Sequence, residues 1–151
     1  MLPRAAEFLA AAKARGVAVF FVTNRNIEEE PKTIENLRKK AIEVDPNGEN
    51  VLSRGERPGW GADKSSRRQE VASRYRILLL LGDDLGDFIS GKPNDTFAER
   101  KERAEVHREY WGERWIILPN PLYGSWERVL SRGADDAQTL RNKFHALKGF
   151  K

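Results

Sequence analysis

An α/β sandwich with a mainly parallel sheet is the fold this sequence predicts, and three observations predict it. Strand-like and helix-like patterns alternate through most of the chain. Two apolar runs, Val17–Val22 and Ile77–Leu81, lack in–out alternation, the mark of strands buried on both faces. Each run ends abruptly in polar groups, Thr23-Asn24-Arg25 after the first and Gly82-Asp83-Asp84 after the second. In open α/β folds ligands sit at the carboxyl ends of such strands.

The elements follow in order. Pro3 to Arg15 predicts a helix, with proline at its entry, Gly16 past its end, and Ala5, Phe8, Leu9 and Ala12 on one face. The β-branched and aromatic run Val17–Val22 follows as a strand. A second helix is expected over Pro31 to Ala41, preceded by Glu28 to Glu30, where acid favours the positive end of the dipole. Asp45-Pro46-Asn47-Gly48 is a turn, and Val51-Leu52 a short strand. Lys64 precedes a helix from about Ser65 to Tyr75, which leads into the strand Ile77–Leu81. Beyond the loop Ser90–Asp95, Thr96 to Trp111 is a charged helix with one solvated side. Trp115–Leu118 is a fourth strand. Two helices close the chain, a short one carrying Trp126, Val129 and Leu130 and a last one from about Asp136 to Leu147.

At 151 residues the chain is expected to be one domain with a real core. Charged residues make up 33% and the net charge is +4, but Lys and Arg are spread along the sequence. The densest short cluster, Arg67-Arg68 near Lys64, does not make a nucleic-acid-binding stripe, so nucleic acid is not an expected partner. A small anionic substrate is. The absence of cysteine excludes disulfides, thiolate metal sites and cysteine nucleophiles. No apolar run is long enough for a membrane span, and no signal-peptide h-region stands at the N-terminus.

The candidate chemistry lies at three places. Asp83, Asp84 and Asp87 repel one another unless a cation, a proton or a basic group compensates. Oxygen-only ligands of this kind suit Mg²⁺. A hydroxyl at Thr23, an amine at Lys64 and these carboxylates together are what phosphoryl transfer needs: donors to phosphoryl oxygens, a cation to offset charge, and a metal anchor.

The strings Val19–Arg25, Lys64 with Arg67-Arg68, Gly82-Asp83-Asp84-Leu85-Gly86-Asp87-Phe88 and Leu118-Pro119-Asn120-Pro121-Leu122-Tyr123-Gly124 resemble, in content and order, those of class C (subfamily IIIB) acid phosphatases. These are haloacid dehalogenase-like enzymes that include outer-membrane lipoprotein acid phosphatases and nucleotidases of bacteria. The resemblance runs from Pro3 to about Glu127 and implies a Rossmann-like three-layer α/β/α sandwich. It also implies Mg²⁺-dependent hydrolysis of phosphomonoesters, nucleoside 5′-monophosphates among them. By position it makes Thr23 the phosphoryl-gripping hydroxyl, Lys64 the charge-stabilising lysine, Asp83 the Mg²⁺ ligand and Asp87 the second acid of that motif. It puts Asn24 and Arg25 on the substrate and Tyr123 against the leaving group. Asp84 stands where asparagine is common, an extra charge that needs explaining. The localisation implied is exported, periplasmic or outer-membrane associated.

One departure is large. The family's catalytic domain begins with a strand ending in Asp-x-Asp, which supplies the nucleophile and the general acid, and no Asp-x-Asp occurs in these 151 residues. The expectation is therefore the C-terminal portion of such an enzyme, its aspartyl nucleophile upstream of Met1, and inactive by the family mechanism as it stands. The resemblance puts the missing strand centrally, between those ending at Thr23 and Asp83, so an upstream segment is expected to complete the sheet. Thr23, Lys64, Asp83 and Asp87 are expected at one sheet edge. The alternative is a non-catalytic relative that binds phosphate or nucleotide.

Overall fold

The computed structural model describes residues 2–92, 95–120, 124–131 and 134–147. It divides into two compact units, Met1–Arg76 and Ile77–Lys151.

In the first unit the order is α1 (Ala5–Ala14), β1 (Phe21–Asn26), α2 (Glu30–Lys39), β2 (Val51–Arg54) and α3 (Ser65–Arg74). Strand β1 pairs in parallel with β2, the two joined by α2 in the manner of a βαβ crossover. Leu52, Trp60 and Val71 form the buried cluster, with Phe20 and Val22 packed against it. Arg57 covers the Trp60 ring at 4.8 Å and reaches Glu70 on α3 at 3.1 Å. The turn at Asp45–Gly48 closes as its sequence predicts: the Asp45 carboxylate accepts from the Asn47 amide, and Gly48 adopts φ +77°.

The second unit runs β3 (Leu80–Gly82), α4 (Phe97–Val106), β4 (Trp115–Ile117), α5 (Ser125–Ser131) and α6 (Asp136–Leu147). Strands β3 and β4 pair in parallel, Leu80 opposite Trp115 and Gly82 opposite Ile117. Its interior is aromatic. Phe88 is buried with its ring 5.0 Å from Trp111, and Trp115 lies 4.9–5.3 Å from the rings of Tyr110, His107 and Trp111. The Trp111 indole N–H donates to the Ala104 carbonyl, which seats the end of α4 on this cluster.

The fold is thus mixed α/β with parallel strands, and the expected helices form close to their expected bounds, except that α4 stops at Val106 and a short 3-10 turn at Arg108–Tyr110 takes the place of its expected end at Trp111. The strands differ in two ways. First, both begin late: β1 starts at Phe21 and β3 at Leu80, so Thr23-Asn24-Arg25 lies inside a strand rather than beyond its end. A ladder starts where a partner is available, and β2 and β4 offer theirs only from Val51 and Trp115. Second, neither apolar run is buried on both faces. Ile77, Leu78, Leu79 and Leu81 are between 36% and 48% exposed, and Val17–Val22 is part-buried except for exposed Ala18. An unbroken aliphatic run expresses a preference for burial, but neighbours do the burying. Among the described residues β3 has one ladder partner and β1 has one.

Candidate functional site

The candidate residues fall on both units, and each group is built by its own local structure. In the first, the β1–β2 register is broken at the chemistry-bearing residues. Phe21 and Val22 face Val51 and Leu52, and pairing resumes at Asn26 opposite Arg54. Three residues of β1, Thr23, Asn24 and Arg25, therefore oppose the single residue Ser53. Such a bulge frees backbone groups from the ladder and re-aims side chains, a device common beside active sites.

The freed groups find other partners. The amide of Ser53, a fully buried residue, donates to the Glu56 carboxylate at 3.1 Å. The Thr23 carbonyl accepts from the guanidinium of Arg67, also fully buried. A second Arg67 nitrogen donates to Asn24 Oδ1 at 2.7 Å, to the Gly61 carbonyl at 2.8 Å and to the Asp63 carbonyl at 3.3 Å. The Asn24 amide in turn donates to the Ala62 carbonyl at 2.9 Å. Thr23 and Asn24 are thereby tied to the segment 61–63 that leads into Lys64, the residue immediately before the first turn of α3. The Thr23 hydroxyl oxygen accepts from the Arg25 amide at 3.2 Å, leaving its proton for donation. Arg25 is exposed and engages Thr33 of α2 at 3.4 Å. Burial lowers the Arg67 pKa; Asp63 opposes this, and the charges of Arg68 and Arg54 add to the lowering.

In the second unit the loop after β3 sorts its three carboxylates into different jobs. Asp87 Oδ2 accepts from the amides of Asp83 and Asp84 at 2.9 and 3.0 Å, closing the helical turn Leu85–Asp87 on itself. Asp84 accepts from the Gly86 amide at 2.9 Å, from the Ser125 amide at 2.6 Å and from the Ser125 hydroxyl at 2.7 Å. Arg100 stands 4.0 Å away. Burial would raise the Asp84 pKa, but the hydrogen bonds from Gly86 and Ser125 and the Arg100 charge outweigh it, and the pKa is lowered. The extra charge at this position is thus a structural pin from the acidic loop to the start of α5. Asp83 is exposed and accepts a hydrogen bond on Oδ2 from the Asn120 side chain. Tyr123 lies outside the described residues.

Gly82 is what lets Asp87 fold back. A Cβ there would collide with the Asp87 side chain, 2.5 Å from Oδ2 and 2.7 Å from Cγ. Gly82→Ala is expected to cost about 1–3 kcal/mol by overpacking, read as a lower denaturation midpoint, with faster hydrogen exchange at the Asp83 and Asp84 amides that bond Asp87. An unchanged midpoint would contradict this packing.

The donors for a metal fit a hard cation in type, being carboxylate oxygens without nitrogen or sulfur. Among the described residues no group of three or more acidic, histidine or cysteine side chains gathers to hold one. Mg²⁺ commonly takes one or two carboxylates and keeps its waters; of the three in this loop, Asp84 and Asp87 accept from backbone amides, and Asp83 accepts from the Asn120 side chain.

Sequence reasoning missed the roles of Arg67 and Asp84. Both left a signal: Arg67 shares the inner face of α3 with Val71 at a spacing of four, and Asp84-x-x-Asp87 is a capping-box pattern.

A family model described as HAD superfamily, subfamily IIIB (acid phosphatase) matches residues 1–126. Among solved structures, the chain is similar to the class C acid phosphatase from Bacillus anthracis, with a TM-score of 0.79 and 29% identity. The same enzyme with tungstate bound gives 0.80 at 29% identity. Each comparison covers 99% of this chain and 62% of the other, so the chain spans less than two thirds of those enzymes.

Proposed function

We propose an acid phosphatase role from one premise: the chain belongs to the HAD superfamily, subfamily IIIB (acid phosphatase). In this reading the chain supplies the phosphate-gripping and metal-holding residues of a phosphomonoesterase. The observation that carries it is the bulge at Thr23-Asn24-Arg25, whose residues are tied to the segment preceding Lys64.

Thr23 donates its hydroxyl proton to a phosphoryl oxygen, and the Lys64 ammonium offsets the charge that develops there. Asn24 and Arg25 contact the substrate beyond its phosphate, and Tyr123 its leaving group. Asp83 would hold Mg²⁺, which when bound neutralises phosphoryl charge, and Asp87 fixes the backbone that presents Asp83. The substrates are small phosphomonoesters. Nucleoside 5′-monophosphates are included because Tyr123 falls where the resembled family uses an aromatic against the nucleoside ring or a similar leaving group. An exported location is part of the same proposal; among the described residues no helix is long and apolar enough to cross a membrane.

No Asp-x-Asp stands in these 151 residues, so the covalent nucleophile is not among them. The 151-residue chain is therefore expected to bind inorganic phosphate without hydrolysing p-nitrophenyl phosphate, with or without Mg²⁺. Phosphate binding is expected to fall at least tenfold in Lys64→Ala. Mg²⁺-dependent hydrolysis by the purified chain, abolished by Asp83→Ala, would refute the division of labour. Absence of phosphate binding would refute the functional reading itself.

A further inference from the structure

Arg67 is the most deeply buried charge among the described residues, at 0% exposure, and no carboxylate hydrogen-bonds it there. Its acceptors are the carbonyls of Thr23, Gly61 and Asp63 and the Asn24 side-chain oxygen, all neutral. Its Nε is buried without a hydrogen-bond partner. A guanidinium kept in such a place costs desolvation that a neutral side chain would avoid. What it gains is geometric. The fork lets two nitrogens reach two chain segments at once, across 44 residues of sequence, and a lysine ammonium cannot reproduce that spread.

The position of those acceptors gives the burial a purpose. The β1–β2 register shifts across Thr23, and there Arg67 takes the Thr23 carbonyl. The carbonyls of Gly61 and Asp63 belong to the irregular segment that delivers Lys64, and Arg67 takes those too. Arg67 itself sits in the first turn of α3, three residues after Lys64.

We infer that Arg67 is a positioning residue for phosphate recognition: it locks the β1 bulge to the Lys64 segment, so that Thr23 and Lys64 are held in one fixed geometry. This rests on the phosphate-gripping role proposed for Thr23 and Lys64. Arg67 does not touch the phosphate. Its effect is on how well two other groups are pre-set to meet it.

The test titrates inorganic phosphate into the ¹⁵N-labelled chain, wild type and Arg67→Lys, and follows the amides of Thr23, Asn24 and Lys64. In the wild type these are expected to shift together along one binding curve. Arg67→Lys keeps the charge and loses the fork. It is expected to bind phosphate at least tenfold more weakly, with the Thr23 and Lys64 amides no longer following a common curve. A folded Arg67→Lys with wild-type phosphate affinity would overturn the inference, since a role in stability alone would lower the melting temperature and leave affinity unmoved. Should Arg67→Lys fail to fold, Asn24→Ala removes one Arg67 acceptor and the bond to Ala62 from an exposed position. It is expected to perturb the phosphate response at the Lys64 amide, which Asn24 reaches only through the segment 61–63 and Arg67, and an unaltered Lys64 curve would overturn the inference. A wild type that shows no phosphate response defeats the functional reading on which this rests; a wild type that responds while Arg67→Lys responds equally defeats Arg67 alone.

Discussion

Asp84→Ala is expected to destabilise the protein by about 3 kcal/mol, a fall in Tm of about 6–12 °C for a chain of this length. The side chain is 23% exposed, so solvent screens its interactions only partly. It satisfies the Gly86 amide, the Ser125 amide and the Ser125 hydroxyl, and alanine leaves all three without that acceptor. Hydrogen bonds to a charged group contribute about 1.5–3 kcal/mol each and are not additive within one cluster, so the total stays well below their sum. The Arg100 contact, at 4.0 Å, adds little.

The same group fixes a pH dependence. Its folded pKa is lowered from the model-compound value of 3.8, so its contribution is fully present above that value. It is lost as pH falls through the lower, folded value. The difference in unfolding free energy between wild type and Asp84→Ala should therefore be constant from pH 7 to pH 5 and shrink below about pH 4. Urea denaturation of both proteins at pH 7, 5 and 3 checks this. A difference that grows as pH falls would contradict the assignment. Asp84→Asn should recover part of the loss, since its oxygen still accepts from Gly86 and its amide can donate to the Ser125 hydroxyl.

Helices, the end of α4 apart, were legible to within a few residues because their signals are local. The proline and acid in the first turn of α2, the Thr96 cap of α4 and the apolar spacing of α6 act within or next to the helix they specify. Strand position was less legible because it is fixed by a partner far away in sequence. Val17–Phe20 is as apolar as the residues after it, yet the ladder begins at Phe21, where Val51 can pair. The same limit applies to the chemistry. The residue types at Thr23, Lys64 and Asp83 could be read directly, whereas the bulge at Thr23 comes from a register offset against β2 that no local pattern encodes. The division of labour among Asp83, Asp84 and Asp87 depends on which carboxylate the chain turns back upon. The glycines at 82 and 86 permit that turn without specifying it. Burial of the run Ile77–Leu81 was misjudged for a related reason: hydrophobicity is a property of the residues, and cover is a property of their neighbours.

On the Mg²⁺-holding role proposed for Asp83, Asp83→Ala is expected to abolish Mg²⁺ binding while leaving stability almost unchanged. Asp83 is exposed, and the bond its carboxylate accepts from Asn120 ties two exposed or half-exposed side chains. Its removal strands no buried group, so the effect on folding should stay within about 0.5 kcal/mol. The effect on the metal should be large because no second carboxylate of the loop can substitute. Asp84 is held by Ser125 and Gly86, and Asp87 by the amides of Asp83 and Asp84. Recruiting either would break bonds contributing about 1.5–3 kcal/mol, comparable to a tenfold or greater change in affinity. Asn120→Ala should have a smaller effect of the same sign, since it frees the carboxylate that its amide orients. Isothermal titration with Mg²⁺, and line broadening of the Asp83 amide by Mn²⁺, give the two readouts. Unchanged Mg²⁺ affinity in Asp83→Ala, or a loss in Asp87→Asn that exceeds it, would move the metal anchor away from Asp83.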